Sequence, residues 1–182
     1  MSAFKTERDE SQFTWADLGD LALGRPNLGP DAPVAVYRLL EFTLRDVLTV
    51  RYGPTETSEI LRAAGRVAGR EFCHNVLDTT LGFDEFVAHL QQTLRELKIG
   101  VLRLEKADVA KLEFTVTLAE DLDCSGLPYS DEVVCDYDEG LIGGLFEAYT
   151  GRPFTVRETD CWASGGRVCR FDVRPAEPGT RR

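Results

Sequence analysis

The apolar residues of this chain change their period near Gly100, and that change constrains the fold more than any other feature. From Val34 to Leu97 they recur at helical spacing. Val36, Leu39, Leu40, Leu44, Val47 and Leu48 predict a helix over 34–50, ended by Tyr52-Gly53-Pro54. Ile60, Leu61, Ala64, Val67, Ala68 and Phe72 predict a second over 57–77. Phe86, Val87, Leu90, Leu94 and Leu97 predict a third over 83–97. Beyond Gly100 the pattern alternates. Val101–Glu105 and Lys111–Leu118 read as half-buried strands joined by a turn over 106–110. Phe154–Asp160 and Val168–Val173 read as two more, turned into a hairpin by Ser164-Gly165-Gly166. One helix interrupts the strands. It opens at Asp138-Glu139, with Asp138 as the expected N-cap, and closes at Gly151 and Pro153. The fold class is therefore α+β, with N-terminal helices packed on an antiparallel sheet that carries one inserted helix.

At 182 residues the chain can bury a core of its own without disulfide staples. The expected division is a partly disordered N-terminal extension over 1–33, a domain over 34–175 and a disordered tail over 176–182. Gly65 and Gly69 lie four apart beside Ala64 and Ala68, so a neighbouring helix can approach closely. That spacing serves either tight packing within the chain or a dimer face.

The net charge of −10 argues against a nucleic-acid or anionic-membrane binder, which needs a basic footprint. No run of apolar residues approaches the ~18 of a membrane span. The charge is unevenly placed. Between Lys111 and Arg152 there is no Lys or Arg, yet ten acids, including Asp121, Asp123, Asp136, Asp138 and Glu139. A solvated acidic loop would explain this. So would a surface that repels acidic molecules, or one that accepts a metal or a basic partner.

The five cysteines are Cys73, Cys124, Cys135, Cys161 and Cys169. The count is odd and the first residues carry no apolar signal region, so the expectation is a cytoplasmic protein with reduced thiols. If the hairpin turns about Gly165, Cys161 faces Cys169 at ~4.5–5.5 Å, close enough for two thiolates to share one ion. Glu158 lies three residues before Cys161 and points to the same face only if the strand is bulged. Cys135 precedes a helix, where a thiolate is favoured. Cys135, Glu158, Cys161 and Cys169 can thus close a four-coordinate site, and zinc suits that donor set. Two buried hydrophobic thiols, or a cross-strand disulfide, remain open as alternatives.

Tyr137-Asp138-Glu139-Gly140-Leu141-Ile142-Gly143-Gly144, Thr150-Gly151, Val156-Arg157-Glu158, Cys161-Trp162-Ala163-Ser164-Gly165 and Cys169-Arg170-Phe171 resemble the 4-vinyl reductase domain family. The resemblance is strongest over about 100–175. It implies the ligand-binding fold shared with haem-NO-binding-like domains and vesicle-tethering subunits. In phenol- and aromatic-sensing activators of that family the domain binds small aromatics and holds a zinc by Cys, Glu, Cys and Cys. Those ligands map in order onto Cys135, Glu158, Cys161 and Cys169, which implies a structural Zn2+. Cys73 and Cys124 are left as spare thiols.

The resemblance also names a vinyl reductase of the bacteriochlorophyll pathway. No Gly-x-Gly-x-x-Gly follows a strand here, and no P-loop, Ser-His-Asp set or His-Glu-x-x-His helix is visible, so no catalytic residue is assigned. A pocket between helices and sheet would be lined by Phe72, Phe86, His89, Phe114, Tyr137, Phe146 and Tyr149, although plain core packing explains each of them. The leading expectation is a zinc-containing domain that binds a small apolar or aromatic molecule and acts through a homodimer or a partner protein. The alternatives are an enzyme or accessory protein of tetrapyrrole vinyl reduction, and a scaffold subunit without a ligand.

Overall fold

The computed structural model describes residues 7–177, so the expected frayed start and disordered tail lie partly outside the described residues. A 3-10 turn at Trp15–Leu18 is followed by α1 (Leu21–Gly24), α2 (Val34–Tyr52), α3 (Pro54–Val76) and α4 (Phe83–Glu96). Strands β1 (Val101–Asp108) and β2 (Glu113–Ala119) come next, then α5 (Asp136–Thr150), β3 (Phe154–Asp160) and β4 (Cys169–Pro175). No described helix is long and apolar enough to cross a membrane. The chain divides into two compact units, the first ending at Thr57 and the second beginning at Ser58.

In the first unit, Asp20 caps α1 by accepting the Leu23 N–H at 2.8 Å. Helix α2 stops at Gly53, whose φ of +84° a residue with a Cβ reaches only under strain. Val36, Leu39, Leu40, Leu44, Val47 and Val50 recur at helical spacing along α2 and are exposed.

In the second unit the strands form one antiparallel sheet in the order β1-β2-β4-β3. Phe114, Val116 and Leu118 of β2 pair across with Val173, Phe171 and Cys169 of β4, and all six are buried on one face. Helix α5 packs on β3 and β4, and α4 on β1. The predicted stripe of α4, Phe86, Val87, Leu90 and Leu94, is buried. Each such side chain contributes about 1.5–3 kcal/mol on leaving water.

Helices α3 and α5 meet backbone to backbone. A Cβ on Gly65 would lie 2.0 Å from the Tyr137 carbonyl oxygen, and one on Gly69 2.1 Å from that of Leu141. The contact is reciprocal. A Cβ on Gly140 would lie 2.1 Å from the Arg62 oxygen, and one on Gly144 2.3 Å from that of Arg66. The small residues of α3 therefore serve packing within the chain, where only hydrogen fits. Ion pairs flank the seam: Arg62 reaches Asp136 at 2.8 Å and Glu139 at 2.5 Å, and Arg66 reaches Glu147 at 3.3 Å.

Two local expectations change. Helix α5 begins at Asp136, so Cys135 holds the N-cap position and Asp138 lies inside the first turn. Asp136 is drawn into the helix because Ser58 and Arg62 of α3 both bond its carboxylate. Strand β1 runs on to Asp108, since an irregularity between Leu104 and Lys106 lets pairing with β2 continue, and the turn falls later.

Candidate metal centre

Three segments bring four sulfurs together at one end of the sheet. The first is the loop after β2. Its chain reverses at Asp121, whose side chain accepts the Asp123 N–H at 2.9 Å and whose carbonyl accepts the Ser125 N–H at 3.1 Å. The Leu122 N–H donates to the Ile99 carbonyl at 2.9 Å, tying the loop to the α4–β1 junction. Cys124 is thereby held inside. The second segment is the start of α5, with Cys135. The third is the β3–β4 connection. Phe154 pairs with Pro175 and Glu158 with Phe171, then a bulge before Asp160 moves the register by one and pairs Asp160 with Arg170. That is the register centred on Gly165 which the sequence suggested. The bulge brings Glu158 and Cys161 to the buried side together. A tight turn follows, with the Gly166 N–H on the Cys161 carbonyl at 2.8 Å and Gly165 at φ +93°.

Cys124, Cys135, Cys161 and Cys169 are buried free thiols whose sulfurs all lie within 4.8 Å of one another. Cys135 Sγ is 3.8 Å from Cys161 Sγ and 3.7 Å from Cys169 Sγ, and Cys124 Sγ is 3.0 Å from Cys169 Sγ. A tetrahedral metal site with metal–sulfur bonds of ~2.3 Å has sulfur–sulfur edges of about 3.8 Å. Two of the three distances already match it, and the third needs to open by less than an ångström. This cluster could bind a metal ion.

Of the expected ligands, Cys135, Cys161 and Cys169 stand in the cluster, and Glu158 stands beside it. The Oε2 of Glu158 accepts the Cys135 backbone N–H at 3.0 Å. The fourth sulfur belongs to Cys124, so this residue is no spare thiol. Glu139 braces the arrangement: its Oε1 accepts the Glu158 N–H at 2.6 Å while its Oε2 takes Arg62 of α3.

The electrostatics are those of crowded anions. Hydrogen bonds from the Cys124, Cys135 and Cys169 thiols pull Cys161 far below the ordinary thiol range. Cys135 is pushed far above it by the same sharing, with Cys124 first, and Cys169 likewise. Negative charge thus collects on one sulfur while its neighbours stay protonated, until a cation is present. Burial, then the charge on Cys161, raises the Glu158 carboxyl to about 8. Burial, then Asp123 and Asp121, raises Asp138 well above the carboxylate range. The acidic segment is therefore not simply a solvated loop: Asp121, Asp123, Asp136, Asp138 and Glu139 are all buried.

The expected pocket residues divide. Phe86 stacks on Tyr149 with ring centres 3.8 Å apart, and Phe114 stacks on Phe146 at 4.9 Å and on Phe83 at 5.0 Å. The Tyr149 hydroxyl donates to the Leu81 carbonyl at 3.0 Å. Phe72 is buried on α3. His89 Nδ1 accepts the Asp78 N–H at 3.4 Å, and Tyr137 lies where α5 touches Gly65. Phe83 and Phe154 join the ring cluster although sequence reasoning did not select them for it.

Residues 114–175 match the model of the 4-vinyl reductase domain. Three solved structures share the fold. A vinyl-4-reductase family protein from Methanocaldococcus jannaschii is 16% identical with a TM-score of 0.56, over 86% of this chain and 91% of its own. The phenol-responsive sensory domain of the transcription activator PoxR, with phenol, is 16% identical with a TM-score of 0.59, over 79% and 75%. The trafficking protein particle complex subunit 3 from Naegleria fowleri, covalently bound to palmitic acid, is 11% identical with a TM-score of 0.64, over 79% and 95%. The likeness to these structures establishes the α+β fold. With the motif from Tyr137 to Phe171 seated on it, the chain belongs to the 4-vinyl reductase domain family.

Proposed function

We propose that this protein binds a small apolar or aromatic molecule, is held in shape by a structural zinc, and reports occupancy through a second copy of itself or a partner protein. One observation carries the reading: α5 joins a sulfur cluster at its start to a stack of aromatic rings at its end. The PoxR sensory domain, which has this fold, responds to phenol. Phe86, Phe114, Phe146 and Tyr149 would form the apolar site, with Phe72, His89 and Tyr137 around it. Faces that stack on one another can stack on an aromatic ligand, so ring–ring contact is exchanged for ring–ligand contact.

Cys124, Cys135, Cys161 and Cys169 would hold the zinc, with Glu158 steadying the Cys135 backbone. Four protein ligands leave no open position, so the ion would supply folding energy. Five buried free thiols suit a reducing compartment, and we place the protein in the cytoplasm on that ground. The exposed stripe from Val36 to Val50 would bury itself against its own copy. Replacing both Leu40 and Val47 by Asp should convert a dimer to a monomer in sedimentation. A monomeric unmodified protein removes that part of the reading.

The test is native mass spectrometry of the full chain, with thermal shifts against phenols, fatty acids and porphyrins. A bound ligand at a hundredfold its dissociation constant stabilises by about 2.7 kcal/mol. We expect metal in every chain and stabilisation by an aromatic or apolar compound. Metal-free folded protein overturns the zinc, and a panel that shifts nothing overturns the ligand site.

A further inference from the structure

The four-sulfur cluster does not stand alone. Asp121 and Asp138 each place a carboxylate oxygen within 4.8 Å of Cys135 Sγ and of one another, all three residues buried. Asp121 Oδ2 is 3.5 Å from Cys135 Sγ and 3.4 Å from Cys124 Sγ. Asp138 is only 3% exposed, and its Oδ2 has no hydrogen-bond partner. The neighbouring acids of the same helix turn, Asp136 and Glu139, are answered by Arg62, whereas no ion pair to Asp138 is seen among the described residues.

A single ion in the sulfur cluster does not resolve this. Four thiolates around a dication carry a formal charge of −2, and the carboxylates add to it. Sequestering like charges in a low-dielectric interior costs several kcal/mol per ion unless an opposite charge is close. The geometry supplies a place for that charge on the carboxylate side of Cys135, where one sulfur and two carboxylate oxygens converge.

We propose that the centre is binuclear: a second divalent cation lies between Asp121 and Asp138 and shares the Cys135 sulfur with the ion of the four-cysteine cluster. Two oxygens and one thiolate suit a metal of the zinc and iron(II) class, and they disfavour calcium or magnesium, which require oxygen alone. The inference rests on the four-cysteine reading above, and its test separates the two.

The full chain is equilibrated with micromolar zinc and weighed by native mass spectrometry beside Asp138→Asn. The expected result is two zinc ions per chain in the parent and one in the variant. No zinc in the folded parent overturns the four-cysteine reading. One zinc in the parent overturns only the second site, as do two retained in the variant. A cobalt(II) titration of the parent needs no variant. The first equivalent gives a high-spin paramagnetic signal, and a second ion coupled through Cys135 should quench it. A signal that doubles with the second equivalent overturns the shared sulfur.

Discussion

The two ends of the core are equally buried and chemically opposite. At the ring end, Phe83, Phe86, Phe114, Phe146, Tyr149 and Phe154 satisfy one another, and the polar atom of Tyr149 has a carbonyl to bond. At the sulfur end, four thiols and the carboxyls of Asp121, Asp123, Asp138 and Glu158 are enclosed together. Dispersion and the hydrophobic effect hold the first end without help. The second repels itself when ionised and needs a cation to close. The same fold thus contains one end that is stable by packing and one that is stable by charge compensation.

The strongest way to break this contrast is to remove the metal. Stripping with a chelator, or Cys161→Ser, should collapse the sulfur end, because binding of structural zinc is worth about 10–16 kcal/mol in small zinc domains. Loss of near-ultraviolet dichroism and of the cooperative thermal transition is expected, and an unchanged transition would end the comparison. Phe146→Ala should cost about 3–5 kcal/mol at the other end, read from urea midpoints, while metal content stays at the parent level. Metal lost with the ring would show that the ends are not separable. Gly65→Ala puts a methyl 2.0 Å from the Tyr137 oxygen and should cost about 3 kcal/mol through the shared helix seam, again by urea midpoint. A neutral result there would mean that α3 and α5 part easily.

The smallest effect concerns Cys73, a fully buried thiol outside the cluster. Burial alone raises it to about 11, the reverse of the shift at Cys161. The folded chain keeps this proton after the unfolded chain has lost its own near 9. Its stabilising contribution is therefore complete below pH 9 and declines as pH rises toward 11. Stability measured over that window should fall more steeply in the parent than in Cys73→Ala. Equal slopes would show that burial does not perturb this thiol.

The elements were legible because burial follows period. Phe154–Asp160 has the bounds that its alternation gave, and the stripes of α2 to α4 set those helices to within a few residues. The hairpin register and the need for a bulge beside Glu158 followed from glycine placement and from the spacing of Glu158 and Cys161. Cys124 was not legible. Its loop has no period, and its position depends on the turn at Asp121 and the tie to Ile99, which are contacts distant in sequence or specific to one side-chain rotamer. The burial of the acids was hidden for a similar reason. Charged residues ordinarily face water, and only the approach of α5 to the loop after β2 encloses them. Gly65 and Gly69 allowed two readings until Gly140 and Gly144 were seen to meet them.

That glycine seam has a mechanical consequence. Helix α5 is a rod of 15 residues, about 22 Å long, with Cys135 at its head and Tyr149 near its tail. Its notches against α3 leave no room for rotation about its own axis, since a turn in either direction would drive a side chain into a carbonyl. Tilting and sliding along the groove are the motions left. A rod restricted in that way transmits displacement without absorbing it, so a push at the aromatic tail arrives at the sulfur head as movement of the Cys135 backbone.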